Sequence, residues 1–223
     1  MKKSILSLAL IGILSLNSCK KEASTENTEN KTEETVTENK YSGNYVLDTT
    51  FSIIDWTGSK PAGTHTGTIA LKEGSFELTE GKITNGSFVI DMTSITVTDL
   101  KEDEGKGNLE NHLKGLGEKE SEDHFFNTSK FPTSNFKINS VIENGDKYTV
   151  NGTLTMKDIT KEVSFPATIA IAEHEISLIS DTFKIDRTLW GVNYASKSIF
   201  DDLKDKFVND EIELTVKVKA TKK

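Results

Sequence analysis

A chain of 223 residues with 28% charged and 35% hydrophobic side chains has the composition of a water-facing globular protein, with a mean hydropathy of -0.43. Its net charge of -8 and isoelectric point near 5.2 exclude nucleic acid and an electrostatic hold on anionic lipid as partners. A single cysteine excludes a disulfide framework, so the fold must rest on its core.

The chain starts Met1-Lys2-Lys3 and continues as an apolar run from Ile5 to Leu16. A basic start before so short an apolar stretch predicts a secretory signal peptide over residues 1–18, since a bilayer span needs roughly 20 residues. Cys19 follows directly, in Leu16-Asn17-Ser18-Cys19. These residues resemble a bacterial lipobox, although Asn17 stands where that pattern prefers a small residue. The resemblance implies lipidation at Cys19, with acyl chains enough for stable anchoring. A leftover free thiol is the plainer alternative. The expected location is the cell envelope, lipid-anchored, with the periplasmic face and the cell surface both left open. Residues 20–40 are Glu-, Thr-, Asn- and Lys-rich with no aromatic side chain. Such a segment cannot offset its ordering entropy by burial, so residues 19–40 are expected to be the lipidated cysteine and a disordered linker. Its reach is roughly 25 Å.

Residues 41–223 read as one domain, holding 21 of the 27 basic and 29 of the 35 acidic side chains. Segments near 45–57, 64–72, 82–92, 133–143, 147–157, 161–172, 175–187 and 210–220 are rich in Val, Ile, Thr and Phe and alternate polar with apolar, which predicts strands. Ile212, Leu214, Val216 and Val218 alternate with Glu211, Glu213, Thr215 and Lys217. Tyr148, Val150, Leu154 and Met156 do the same, with Gly152 interrupting the face. Glu80-Gly81-Lys82 and Asn144-Gly145-Asp146 look like hairpin turns. The polar stretch 99–130 carries Leu109, Leu113 and Leu116 and predicts a short helix near 107–116, and a second helical turn is expected near 199–206, both over the mouth or edge of the barrel that the strands would form. About eight short-linked antiparallel strands favour a barrel or a sandwich. An eight-stranded barrel has an interior just wide enough for side chains or one small ligand. Trp56, Phe88, Phe136, Phe165, Phe183 and Trp190 fall on different elements, a spread that suits a packed core or a lined cavity.

Several segments together resemble the YceI-like family. They are Tyr45-Val46-Leu47-Asp48, Ile54-Asp55-Trp56-Thr57-Gly58 and Gly63-Thr64-His65-Thr66-Gly67. The run from Ile83 to Ile95, His124-Phe125-Phe126, and Phe131-Pro132-Thr133 leading to Phe136 come next. Tyr148 to Val163 and Phe183 to Val192 complete the set. The resemblance spans about Asn44 to Ala220 and rests on order and spacing. It implies an all-β, eight-stranded antiparallel lipocalin-like barrel with one or two short helices in its connections. It also implies a polyisoprenoid or other long-chain amphiphile threaded down the axis, and a homodimer, for which no heptad or interface stripe is visible here. This chain departs from the family at His124, which separates Asp123 from Phe125-Phe126. The insertion Gly115–Ser121 also lengthens the loop before that pair.

The expected ligand-binding residues are Trp56, His65, Phe88, Phe136, Phe165, Phe183, Arg187 and Trp190, because buried methylenes give affinity and a few polar groups orient a head. Asp55, Tyr194 and Ser196 are further candidates for that polar end. Trp190 reads either as a cavity wall or as a plug. Arg187 reads as a head-group partner or a structural ion pair, and His65 as pocket-facing or simply exposed. No metal is expected: His65, His112, His124 and His174 lack ligand spacing, and Glu102-Asp103-Glu104 and Asp201-Asp202 lack EF-hand spacing. No cofactor and no catalytic residue are expected, since no nucleophile elbow or phosphate-cradling loop is present. The resulting expectation is a carrier of an isoprenoid, quinone-like or fatty-acid-like molecule. The competing expectation is a structural or stress-related envelope protein with a packed barrel.

Overall fold

The computed structural model describes residues 41–116 and 124–223. The signal peptide, Cys19 and the linker expected from the sequence lie outside the described residues, as do Asp123 and most of the 115–121 insertion.

Eleven strands form one antiparallel sheet: β1 Gly43–Leu47, β2 Ile53–Lys60, β3 Gly63–Thr79, β4 Lys82–Asp91, β5 Thr96–Val97, β6 Thr133–Asn144, β7 Lys147–Met156, β8 Ile159–Ile171, β9 Glu175–Ser180, β10 Phe183–Asp186 and β11 Glu211–Lys222. Eight of them close a ring in the order β2-β3-β4-β6-β7-β8-β9-β11, sealed where β11 pairs with both β9 and β2. Closure leaves no unpaired edge in the ring. The all-β antiparallel barrel expected from the sequence is the fold observed.

Two segments read as single strands are in fact pairs of strands. The 45–57 segment breaks at Asp48, whose carboxylate accepts the Thr50 amide at 3.0 Å and whose carbonyl accepts the Phe51 amide. This Asx turn frees β1 to cross from β3 to β11 and cover one end of the barrel. The 175–187 segment breaks at Asp181-Thr182, yet β9 and β10 pair with successive stretches of β11. In contrast, β3 runs well past the expected 64–72. A register shift between Leu71 and Glu73 lets its first half pair with β2 and its second with β4 and β1.

The hairpins follow local chemistry. Glu80-Gly81 and Lys157-Asp158 both carry positive φ at both positions, as a two-residue loop matching the strand twist requires. The helix α1 spans Lys106–Lys114 and ends at Gly115, whose φ of 72° is the left-handed cap that glycine adopts without strain. The second expected turn is a single 3-10 turn at Lys204–Lys206, and another spans Arg187–Trp190.

The two ends of the barrel differ. At the floor, Tyr45 of β1 is fully buried and its hydroxyl donates to the carbonyls of Ala172 and Glu173 in the β8–β9 turn. At the other end, α1, the 124–131 loop and the 187–210 segment lie over the strands.

Candidate functional site

Side chains do not fill the barrel. A cavity of about 280 Å³ lies at the lidded end and one of about 70 Å³ lies below it. Ile54, Ile90, Leu154 and Leu214 wall both, so the two chambers meet at an aliphatic waist. Only aliphatic residues and phenylalanine line the lower chamber. The alternation on β11 has its explanation here: Ile212, Leu214 and Val216 are only half-buried because they face a cavity.

Glycines opposite the large rings create this space. Trp56 pairs with Gly67 and Phe88 with Gly74 across neighbouring strands, while Phe136 lies diagonally across from Gly152. A Cβ on Gly67 would sit 2.5 Å from the Trp56 ring, and Cβ atoms on Gly74 and Gly152 would collide with Phe88 and Phe136. Each ring therefore lies flat against bare backbone instead of projecting across the lumen. The gap that Gly152 leaves in the β7 face is filled by the Phe136 ring.

Seven of the eight side chains expected at a ligand site line these chambers. Trp56, His65 and Arg187 line the upper one; Phe88, Phe136, Phe165 and Phe183 line the lower one. Phe165 and Phe183 stack at 4.6 Å, Phe136 lies 5.7 Å from Phe165, and Phe88 meets Phe76 edge-on at 5.0 Å. Trp190 lines neither chamber. It is buried, and its indole donates to the Leu154 carbonyl at 3.0 Å, which is the geometry of a plug. Asp55 points outward and pairs with Lys217 at 2.7 Å. Ser196 is buried against Ser198, and Tyr194 lines the upper chamber.

Arg187 is an anchor for the lid. Its guanidinium, 1% exposed, donates to the carbonyls of Val192, Tyr194, Val208 and Asn209, and lies 3.5 Å from Asp210. Burial draws the guanidinium below its ordinary range while Asp210 and Asp186 oppose that shift. An arginine stays charged throughout, so the four hydrogen bonds of its fork tie the irregular 192–210 chain to the barrel. Burial also pushes the Asp210 carboxyl up, but bonds from Ser196 and Ser198 and the Arg187 charge outweigh it, leaving the group below the usual carboxylate range. At the rim, His65 Nδ1 lies 2.9 Å from Asp99, which also accepts the Thr66 amide. Burial raises the Asp99 carboxyl and these bonds bring it below its ordinary value.

The lid expected over the barrel's mouth from the helix near 107–116 and the turn near 199–206 is present, though its side chains were not among the expected ligand-binding residues. α1 contributes Leu109, His112 and Leu113 to the upper chamber, and the following loop adds Phe125 and Phe126. His112 and His124 are twelve positions apart, yet His124 Nε2 lies 3.0 Å from His112 Nδ1, and both rings pack on Phe125 and Tyr194. The buried Lys157 ammonium donates to the Phe125 and Gly191 carbonyls, fastening this loop to the β7–β8 turn. Among these side chains, Leu109 and Leu113 of the expected helix and the Phe125-Phe126 pair carried a sequence signal, and the His112–His124 contact carried none. No group of three or more metal-ligating side chains occurs among the described residues.

A closed antiparallel barrel with an apolar, two-chambered lumen beneath a lid of helix and loop defines a lipocalin-like architecture. The chain belongs to the YceI-like domain family, which residues 45–220 match. UPF0312 proteins of Yersinia pestis strain Pestoides F and Yersinia pseudotuberculosis are 30% identical over 93 residues, or 41% of this chain. That match spans 45% of their length, so the chain spans less than half of the curated relatives it matches. Among solved structures, BcnA of Burkholderia cenocepacia superimposes with a TM-score of 0.60 at 19% identity, covering 78% of this chain and 99% of that one. A polyisoprenoid binding domain from Saccharophagus degradans gives 0.57 at 14% identity, covering 80% and 98%. At these identities the two structures share the fold.

Proposed function

We propose that this protein is an envelope carrier that holds one long-chain amphiphile, isoprenoid, quinone-like or fatty-acid-like, inside its barrel and acts by reversible binding without a covalent step. The observation that carries this reading is the lumen: two joined chambers walled by aliphatic and aromatic side chains, held open by glycines opposite the rings. Burying each methylene there stabilises the complex by about 0.8 kcal/mol, so a tail alone gives affinity. The chambers lie at the small end of the roughly 300–1,000 Å³ range of small-molecule sites, which suits a single tail. The polyisoprenoid binding described for the Saccharophagus neighbour supports the same class of cargo. The mouth lies between the β2–β3 hairpin and the 206–209 stretch, where the exposed Lys60 and Lys206 rim the upper chamber. In this reading Cys19 carries the lipid anchor and residues 20–40 form the tether.

Native mass spectrometry of the protein purified from its own host, followed by solvent extraction, tests the carrier reading. A discrete adduct of lipid-like mass is expected; a clean apo mass, with no uptake of added amphiphiles, removes it. The same spectrum reads the oligomeric state, for which the family resemblance favours a dimer. Cys19→Ser is expected to move the protein from the membrane to the aqueous fraction, and continued membrane association defeats the anchor.

A further inference from the structure

The lumen ends blind. On β8, β9 and β11 the inward positions Phe165, Leu178 and Val218 line the lower chamber. The next inward positions toward the floor are Ala167, Ile176 and Ala220; each is 0% exposed and lines neither chamber. Strand β1 closes over them. Its Tyr45 pairs with Phe76 of β3 and its Leu47 with Ala220 of β11, while the Tyr45 hydroxyl is held by the carbonyls of the β8–β9 turn. Such a layer is packed core, without room for a ligand atom.

The ladder measures the depth above this layer. With Val216 opposite Ile54, Val218 stands level with residue 52, eight residues from Lys60 at the mouth. At about 3.3 Å per residue and a strand tilt of roughly 40°, the lumen is about 20 Å deep. An extended chain advances about 3.5 Å for every three bonds, so this depth holds on the order of sixteen carbons. The lower chamber, about 70 Å³, is reached only through the aliphatic waist of Ile54, Ile90, Leu154 and Leu214, which suits one chain and not two.

Resting on the carrier reading, we infer that the cargo is a single-tailed amphiphile with a tail of about sixteen carbons or fewer, and that the packed floor under Phe76 is the ruler that sets this limit. A longer tail leaves its surplus in water at the mouth, where added methylenes bury nothing. An isoprenoid fits while it is short; a polyprenyl chain of twice the depth of the lumen does not.

Displacement of a fluorescent fatty acid from the full chain by the saturated acids from octanoate to docosanoate tests the ruler. Affinity is expected to rise about fourfold with each methylene up to about sixteen carbons and to level off beyond that length. Phe76→Leu lowers the floor and is expected to move this break to longer tails. Gly86→Ala drives Ile138 into the lower chamber and is expected to move it to shorter ones; it carries the test where the first variant fails to fold. A break that moves as stated in either variant upholds the inference. Affinity that climbs without a break through docosanoate overturns it and leaves the carrier intact, as does a break that neither variant moves. Equal binding of every acid places the tail outside the barrel and, like binding of none, removes the carrier reading and this inference with it.

Discussion

The floor and the lid of this barrel are closed by different physics. The floor is closed by the ladder itself: β1 crosses it, and Tyr45 and Phe76, both fully buried, pack where alternation places them. The lid is closed by irregular chain whose backbone carbonyls are collected by two buried cations, Arg187 and Lys157. Packing is spread over many small contacts and tolerates loss gradually, whereas a few charged donors concentrate the stability of a long segment in one or two side chains. A barrel that must admit a ligand gains from having one end that depends on few bonds.

Replacing Arg187 attacks the lid at its strongest point. Arg187→Met leaves four carbonyls and Asp210 without their buried partner, and is expected to cost about 3–5 kcal/mol in denaturant unfolding. Arg187→Lys restores little, because an ammonium cannot reproduce the fork. Retention of wild-type stability by the methionine variant would show that the lid rests on packing after all.

Aromatic truncation separates the packed floor from the open lumen. Phe76→Ala, on a fully buried ring where the floor meets the lower chamber, should cost about 3–5 kcal/mol. Phe136→Ala, on a half-buried ring that already faces a chamber, should cost about 1–2 kcal/mol while changing ligand affinity more. Equal costs at the two positions would mean that the lower chamber is filled by side chains in solution.

Gly86→Ala sharpens the account of how the lumen stays open. A Cβ there meets only side chains, Ile138 Cδ1 at 2.7 Å and Phe76 Cδ1 at 3.4 Å, so it should push Ile138 into the lower chamber. The expected result is about 1–2 kcal/mol of lost stability and a weaker hold on the end of a long tail, measured by calorimetry over a series of tail lengths. Unchanged preference for tail length would count against the chamber as the tail site.

The smallest effect is in acid. Asp210 under the lid and Asp99 at the rim are both held below the usual carboxylate range in the folded state. Groups whose folded pKa is lowered contribute stability above the unfolded value, about 3.9, and lose it as pH falls through the folded value. Unfolding midpoints should therefore drop below about pH 4, and Asp210→Asn should flatten part of that drop. A variant as acid-sensitive as the parent would place the titration elsewhere.

Much of this was legible in the sequence because it is local. Strict alternation on β11 and β7, turn chemistry at Gly81 and Gly145, and the apolar count per segment are properties of neighbouring residues, and they determine that the chain makes antiparallel strands with one inward face. The spread of aromatics over separate strands already pointed to Phe88, Phe136, Phe165 and Phe183 as interior. Whether that interior is full or hollow was decided only in three dimensions. The space exists because Gly67, Gly74 and Gly152 fall opposite or diagonal to large rings, and cross-strand register is not a property of either strand alone. The roles of Arg187 and Trp190 were likewise undecided until the fold brought their carbonyl partners within reach. A hydrogen bond between distant residues depends on everything around the two atoms, and only the tertiary structure supplies those surroundings.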